Sequence, residues 1–411
     1  MDPRQNPYTP GAGVRPPALV GREREFETFD IMLARLQIGR AGRSLMITGL
    51  RGVGKTVLLS AFAESARLAG WVSIDGEISP ESPFRPRMSL LVRRALLELA
   101  PRDRWRERLR RAAGVLRSFS LTMSSDGSVT GSIDVEPVEG QADSGDLGED
   151  LGDLLVAVGE AAREHETGVV FLFDEVQFLH RVDLEALIRA LHRVAQRGLP
   201  LALVGAGLPH LARLAGEAKS YAERLFLFPS LGPLPLDDAR AALTQPAAEL
   251  DVSFDPRAVE VVTTYSEGYP YFIQEYGSVL WDHANGPRVT ALEAVEAQAV
   301  AEVRLDSSFF RVRVERASEQ EVEYLRAMAE FGSEPQRAVD VARVLGRRPD
   351  QVGKLRARLI EKGLLYTPSY GRAAFTVPQF DRFLRRSFPL SPPPKGGPIS
   401  AGGSSPRSRS G

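Results

Sequence analysis

The sequence contains no cysteine, and it uses lysine far more sparingly than arginine. Without thiols the chain can form neither disulfides nor thiolate-based zinc sites, and it cannot use a cysteine nucleophile, which fits a cytoplasmic protein. An excess of either charge is also missing, because 52 basic residues are matched by 53 acidic ones. Any surface that binds nucleic acid must therefore be local.

Long apolar runs are missing as well. No segment approaches the roughly 18 consecutive apolar residues of a membrane-spanning helix, so we expect no membrane partner. The first 17 residues are rich in Pro and Gly and lack the apolar centre of a signal peptide. The hydrophobic content of 43% is typical of a globular protein, and 411 residues are enough for two or three domains.

One glycine-rich segment carries a specific signal. Residues 45–48 form an apolar run, residues 49–56 read GLRGVGKT, and a new apolar periodicity starts directly afterwards. This order predicts a strand, a loop and a helix, and the loop matches G-x-x-x-x-G-K-[ST] at every defined position. Because such a loop binds phosphate through its backbone N–H groups and the helix N-terminus, the sequence predicts a nucleoside triphosphate site. The predicted contacts are Gly49, Arg51, Gly52, Val53, Gly54, Lys55, Thr56 and Val57.

A second segment, GVVFLFDE at residues 168–175, ends in two carboxylates. A continuous apolar run is typical of a central parallel strand, and ligands bind at the carboxyl ends of such strands. We therefore predict that Asp174 and the Thr56 hydroxyl hold Mg²⁺, and that Lys55 contacts the β- and γ-phosphates. Glu175 is the predicted catalytic group that polarises the attacking water. Together the two segments predict an ATPase with ATP and Mg²⁺ as cofactors.

Alternating strands and helices predict a doubly wound α/β P-loop domain with a parallel sheet. A capping box at Thr290-x-x-Glu293 supports a helical lid, and three helices followed by a two-stranded wing predict a winged helix-turn-helix. The predicted boundaries are an extended N-terminal segment at 1–18, an α/β core at 19–232 with an insertion at about 84–153, a lid at 233–310, a winged helix at 318–388 and a disordered tail at 389–411.

Within the insertion, the pattern predicts two arginine-rich helices near 85–99 and 102–117. Alternating apolar and polar residues between 119 and 138 predict a hairpin. The acid-rich stretch at 140–153 predicts a solvated loop. Contact with a partner and a purely structural surface role both remain open for this insertion.

With both nucleotide segments placed, the chain resembles AAA+ P-loop ATPases of the origin-recognition, archaeal-ATPase and STAND-like kinds. The resemblance extends over residues 18–388, apart from the insertion, and ends with the winged helix. The segments that carry it are LVGRERE, GLRGVGKT, VVFLFDE, LVGAG, KSYAERLF and EGYPYFI.

The resemblance implies roles for residues outside the phosphate loop. Val20, Gly21 and Arg22 would pack beside adenine, and Pro270 of the lid would lie near the base. Arg224 would act as an arginine finger across the interface of a homo-oligomer, although a surface ion pair is the alternative for this residue.

Two departures from the family pattern concern the γ-phosphate. The LVGAG strand ends without a polar side chain, and the lid carries Gly268-Tyr269-Pro270 where many relatives place a sensor arginine. Both changes remove groups that would stabilise charge on the γ-phosphate, so the sequence predicts slow hydrolysis and a switch between ATP and ADP states.

The third helix of the winged unit presents Gln351, Lys354 and Arg358 on one face, and Arg372 belongs to the wing. Bases outnumber acids in this unit, which predicts contact with double-stranded DNA. Winged helices also dock proteins, so an unidentified protein partner is an equal alternative.

Three functional hypotheses follow. The first is a slowly hydrolysing AAA+/STAND-like switch that couples nucleotide state to a winged helix in contact with DNA or protein. The second is a DNA-binding regulator or replication-initiator-like protein in which ATP is structural. The third is a protein-interaction adaptor that uses the hairpin and the acidic loop.

Overall fold

The computed structural model describes residues 1–11, 13–100, 106–121 and 135–389. The chain divides into two compact units, Met1–Phe309 and Phe310–Gly411. The predicted tail lies outside the described residues from 390 onward, and the finer domain boundaries remain predictions. In the described part of the chain, no helix is long and apolar enough to cross a membrane.

The first unit is built on a parallel sheet, as predicted. Its strand order is β2-β3-β4-β1-β5, and β6 also pairs with β1. Every pairing is parallel, which requires crossover connections of the kind that helices provide. The strands are β1 (Ser44–Gly49), β2 (Val72–Glu77), β3 (Val169–Asp174), β4 (Leu201–Gly207), β5 (Phe226–Leu227) and β6 (Ser230–Leu231).

Helices cover both faces of this sheet. Successive side chains of a strand point to opposite faces, so Phe171 and Phe173 belong to one apolar cluster while Val170 and Leu172 belong to the other. This is why the central strand reads as a continuous apolar run. The helices of the α/β core are α1 (Glu23–Gln37), α2 (Lys55–Leu68), α3 (Phe84–Leu99), α4 (Glu107–Leu121), α5 (Leu147–Glu164), α6 (Arg181–Gln196), α7 (Leu211–Ala218) and α8 (Ala222–Leu225).

The region predicted as an insertion packs into the core. Helices α3 and α4 contribute fully buried side chains such as Val92, Leu116 and Phe119 to the same cluster as the sheet. Because α4 continues to Leu121, the predicted hairpin does not begin at residue 119. Its centre lies outside the described residues.

The prediction of an acidic loop at 140–153 is wrong beyond residue 146. Helix α5 begins at Leu147, and the Asp146 carboxylate caps it by accepting a backbone N–H of the first turn at 2.9 Å. Asp150 is fully buried and accepts a hydrogen bond from Arg85 at 2.7 Å. These acids look solvated in the sequence because capping and buried pairing cannot be distinguished from exposure by composition.

The lid is helical, as the capping signals indicate. The predicted capping box forms, since Thr290 and Glu293 each bond the backbone N–H of the other. A short parallel pair of strands joins its loops. The elements are α9 (Leu236–Ala248), β7 (Ser253–Phe254), α10 (Pro256–Ser266), α11 (Pro270–His283), β8 (Arg288–Val289) and α12 (Ala291–Arg304).

The second unit combines helices with a small antiparallel sheet of order β10-β11-β9. Stacked rings of Phe310, Phe380 and Phe383 form part of its core, at centroid distances of 5.1–5.9 Å. This arrangement is compatible with the predicted winged helix. Its elements are α13 (Arg311–Val314), α14 (Glu319–Ala329), β9 (Gln336–Arg337), α15 (Ala338–Val344), α16 (Pro349–Glu361), β10 (Leu365–Tyr366), β11 (Arg372–Phe375) and α17 (Phe380–Ser387).

Candidate functional site

The glycine-rich segment forms a tight loop between β1 and α2. Gly52 and Gly54 adopt φ values of 86° and 90°, which side chains disfavour. A Cβ at Gly49 would lie 2.6 Å from the carbonyl oxygen of Leu231, so this position also requires glycine. Helix α2 starts at Lys55, so the backbone N–H groups of its first turn have no acceptor within the helix. The loop therefore has the geometry of an anion-binding site.

Lys55 lies inside this loop. Its side chain is buried, and its Nζ donates to the carbonyl oxygens of Gly49 and Leu50 at 2.9 and 2.8 Å. Burial lowers the pKa of Lys55 from 10.5 to about 8, against the opposing effect of the Glu175 and Asp174 carboxylates. Among the described residues Lys55 makes no ion pair, so a phosphate would supply the counter-charge that the cation lacks.

Thr56 and Asp174 meet at the carboxyl end of β3. The Thr56 hydroxyl donates to the Asp174 carboxylate at 2.5 Å. Two hard oxygen donors beside a phosphate-binding loop fit Mg²⁺, which takes few protein ligands and completes its shell with phosphate and water oxygens. No cluster of three or more His, Cys, Asp or Glu side chains suitable for a metal occurs in the described part of the chain.

Glu175 follows in a left-handed backbone conformation with φ 55°, which is uncommon for glutamate. Its backbone N–H donates to the Asp174 carboxylate at 2.8 Å. Its own carboxylate accepts a hydrogen bond from the side-chain amide of Gln177, a residue that the sequence reasoning did not single out.

Arg22, which the resemblance places beside adenine, is buried and bonds to the backbone. It donates to the carbonyl oxygens of Val53 and Gly232 at 3.2 and 3.1 Å. Burial lowers the pKa of Arg22, although nearby carboxylates oppose this effect. Gly21 lies against Asp238 of α9, since a Cβ at Gly21 would lie 2.6 Å from the Asp238 carboxylate. The segment of residues 20–22 therefore contacts the phosphate loop, the residues after β6 and the lid.

The lid touches the phosphate loop directly. Pro270 occupies the first position of α11, and the next N–H, that of Tyr271, donates to the carbonyl oxygen of Gly52 at 3.2 Å. A Cβ at Gly52 would lie 3.4 Å from the Cβ of Tyr271. The residue that follows Pro270 therefore contacts the phosphate loop directly. The remaining predicted loop contacts, Arg51 and Val57, are half-buried.

The N-terminal segment also reaches this region, which the Pro- and Gly-rich sequence did not predict. Tyr8 is buried among the lid helices, and its hydroxyl donates to the carbonyl oxygen of Leu243. Farther along, a Cβ at Gly13 would lie 3.1 Å from the methyl group of Thr56. Arg15 then pairs with Glu64 of α2. The segment accordingly runs from the lid to the helix that begins the nucleotide site.

Arg224 lies away from this site. It belongs to α8, which directly precedes β5, and Phe226 of β5 pairs with Ser44 at the start of β1. The phosphate loop follows the other end of β1, about 17 Å away for five residues of strand. Arg224 is exposed and has no side-chain partner among the described residues. It cannot reach the nucleotide site of its own chain.

The predicted nucleic-acid contacts belong to the second unit. Lys354 and Arg358 are exposed on α16 and form no ion pair with any described residue. Gln351 is exposed, but its side chain accepts the backbone N–H of Arg348 at 2.9 Å and so caps the helix. Arg372 donates to the carbonyl oxygen of Pro335 at 3.0 Å. Of these four residues, Lys354 and Arg358 are therefore the cations whose side chains have no partner in the described part of the chain.

Comparison with known proteins agrees with this geometry. Residues 18–204 match the family model of the AAA ATPase domain, and residues 307–384 match a family described as a domain of unknown function. None of the curated proteins matches the sequence.

Several solved structures align with this chain. The Walker-type ATPase of Pyrococcus abyssi aligns with a TM-score of 0.55 and 15% identity, over 90% of this chain and 97% of that one. The Thermotoga maritima RuvB Holliday junction branch migration motor aligns with a TM-score of 0.43 and 16% identity, over 88% and 96%. The Aeropyrum pernix Orc1 protein in complex with DNA aligns with a TM-score of 0.44 and 14% identity, over 90% and 94%. Residues 18–204 are thus similar to AAA ATPase domains, and the alignment with the Walker-type ATPase shows the P-loop ATPase fold.

Proposed function

We propose that the protein is a slow, Mg²⁺-dependent ATPase that works as a nucleotide-controlled switch. The observation that carries this proposal is the buried Lys55, held by loop carbonyls at the start of α2 without an anionic partner among the described residues. A triphosphate would place its β- and γ-oxygens against this cation and the free N–H groups of the first helical turn. Thr56 and Asp174 would hold Mg²⁺, which neutralises charge on the phosphates when bound.

Hydrolysis requires a water molecule in line with the bond to the γ-phosphorus. Glu175 would orient that water and take its proton as the oxygen–phosphorus bond forms. The bond to the β-phosphate oxygen then breaks, and ADP leaves with the electron pair.

We expect slow ATP hydrolysis because of the groups that would surround the γ-phosphate. Strand β4 ends in Gly205-Ala206-Gly207, the lid presents Tyr269-Pro270, and Arg224 lies near the amino ends of β1 and β5, away from the phosphate loop. Such an arrangement supplies less transition-state charge stabilisation than a site with an additional cation. Arg224 would complete the site only from a neighbouring copy in a homo-oligomer.

The test is steady-state Mg·ATP hydrolysis by the pure protein, with Lys55→Ala and Glu175→Gln. We expect Lys55→Ala to abolish nucleotide binding, and Glu175→Gln to bind ATP but to turn over at least 100-fold more slowly. Glu166→Gln is a matched control, because Glu166 has the same residue type and nearly the same backbone conformation, with φ 56°. Turnover that survives in Lys55→Ala would contradict the proposal.

A second proposal concerns the partner of the C-terminal unit. The exposed and unpaired Lys354 and Arg358 lie one helical turn apart on α16, a geometry suited to the phosphates or base edges of a DNA groove. We favour duplex DNA over a protein partner because these cations are free of internal carboxylates.

Binding to a labelled duplex as a function of salt concentration tests this partner. Loss of two phosphate contacts in the Lys354→Ala/Arg358→Ala protein should reduce the slope of log K against log[salt] by about 2. The Arg337→Ala/Arg343→Ala protein removes the same charge from residues that already pair with Asp340, and should bind almost as wild type does. Equal losses in both proteins would argue against a specific helix surface.

A further inference from the structure

Gln177 connects the predicted catalytic glutamate to the neighbouring strand. It lies in the single helical turn at Val176–Phe178 that follows β3. Its Nε2 donates to the Glu175 carboxylate, and its Oε1 accepts the backbone N–H of Leu208 at 3.1 Å. Leu208 directly follows β4, so one side chain bridges the carboxyl ends of two adjacent strands.

The two partners determine the orientation of the amide. A carboxylate can only accept and a backbone N–H can only donate, so the NH₂ group must face Glu175 and the oxygen must face Leu208. A carboxylate, which only accepts, or an ammonium group, which only donates, could satisfy only one of them. Glutamine at this position is therefore matched to both neighbours.

Gly207 provides an independent sign of the same arrangement. This residue is buried at the end of β4, and a Cβ there would lie 2.6 Å from Oε1 of Gln177. The backbone of Gly207 does not need glycine for its φ, since it lies outside the left-handed region. The Gln177 amide thus occupies the place that a side chain of β4 would take.

We propose that Gln177 is a positioning residue for ATP hydrolysis, whose amide holds the Glu175 carboxylate against the end of β4. The inference rests on the proposed ATPase function. The left-handed backbone of Glu175 is fixed by hydrogen bonds from its N–H and to its carbonyl oxygen. The side chain beyond it has several rotatable bonds, and the amide of Gln177 selects one direction for the carboxylate.

Catalysis depends on that direction because a general base must lie within hydrogen-bond reach of the water it activates. Loss of the amide should lower kcat and leave ATP binding unchanged, since Glu175 contacts water and not the phosphates. A displacement of about 1 Å is enough to lower a rate by roughly 100-fold.

The first experiment compares Gln177→Glu with wild type and with Gln196→Glu, which makes the same change at an exposed residue of α6. Gln177→Glu keeps the acceptor for Leu208 and replaces the donor to Glu175 by a carboxylate. We expect its kcat to fall at least 10-fold, with KM for ATP within about twofold of wild type. A wild-type kcat in Gln177→Glu would overturn the inference.

A second experiment uses the contact with Gly207 and does not depend on activity alone. Gly207→Ser should lower the Tm more in the wild-type background, where its Cβ would lie 2.6 Å from Oε1 of Gln177, than in Gln177→Ala, where the nearest atoms are a Leu211 methyl carbon at 3.0 Å and the backbone nitrogen of residue 177 at 3.5 Å. The double variant should also regain part of the kcat lost in Gln177→Ala, because the serine hydroxyl restores a polar group.

The outcomes separate the two proposals. Additive effects of the two substitutions on both Tm and kcat would overturn the role of Gln177. A wild-type protein without Lys55-dependent turnover would overturn the proposed ATPase function and the catalytic role of Gln177 with it, whatever the Tm values show.

Discussion

At the scale of single residues, Lys55 makes nucleotide binding depend on pH. Burial lowers its pKa to about 8 in the free protein, and a bound polyphosphate should raise it again. ATP binding therefore takes up a proton once the pH exceeds about 8. Below that pH the lysine is already charged and the affinity is at its maximum. Above it the affinity should fall by up to tenfold per pH unit.

Titration calorimetry with ATP between pH 7 and 9.5 measures this effect, in buffers of different ionisation enthalpy to count protons. The phosphates are fully ionised above pH 8, so they do not contribute to the slope. Lys55→Arg is the control, because a guanidinium keeps its charge throughout and should bind with little dependence on pH. A wild-type affinity that stays constant to pH 9.5 would be incompatible with a buried, partly neutral lysine.

Arg22 leads to a prediction on stability. Replacing it with Met keeps much of the volume but leaves the carbonyl oxygens of Val53 and Gly232 without their donor. We expect the free energy of unfolding to fall by about 2 kcal/mol, the usual effect of stranding buried polar groups. Arg24→Met, at an exposed position of α1, should change it by less than about 0.5 kcal/mol. Thermal unfolding of both variants, with and without ATP, measures and compares these two changes in the free energy of unfolding.

At the scale of elements, the N-terminal segment packs against the lid helices through Tyr8. Tyr8 packs on Gly277 of α11, because a Cβ at Gly277 would lie 2.6 Å from the Tyr8 ring. Burial also raises the pKa of the Tyr8 phenol. Tyr8→Ala should lower stability by about 3 kcal/mol and Tyr8→Phe by about 1 kcal/mol, since the second keeps the ring and loses only the hydroxyl bond.

Thermal unfolding and limited proteolysis of residues 1–17 measure both effects. Tyr370→Ala is the control, because that ring is fully exposed. If Tyr8→Ala were as stable and as resistant to proteolysis as Tyr370→Ala, the segment would not be held by its tyrosine.

The elements also show what a sequence can and cannot predict here. The phosphate loop, Asp174 and Glu175 follow from local order, because strand, loop and helix succeed one another within a few residues. The bridge from Gln177 to Leu208 depends on β3 lying beside β4, which no local pattern records. The burial of Tyr8 could not be predicted because its neighbours in the sequence are rich in Pro and Gly. Asp150 looked solvated because its partner Arg85 is 65 residues away.

At the scale of the whole molecule, a nucleotide switch has to satisfy a thermodynamic cycle. If ATP in place of ADP changes the affinity of the protein for duplex DNA, then the duplex must change the preference for ATP over ADP by the same factor. For a functional switch we expect a factor between about 5 and 150, the usual range of such coupling.

Glu175→Gln allows both sides of the cycle to be measured with intact ATP. DNA affinity is determined with ATP and with ADP, and the affinities of both nucleotides are determined with and without saturating duplex. The Lys354→Ala/Arg358→Ala protein should lose the coupling and keep nucleotide binding, because its phosphate loop is untouched. Equal DNA affinities in the two nucleotide states would mean that the α/β core does not control the C-terminal unit, and would leave ATP with a structural role.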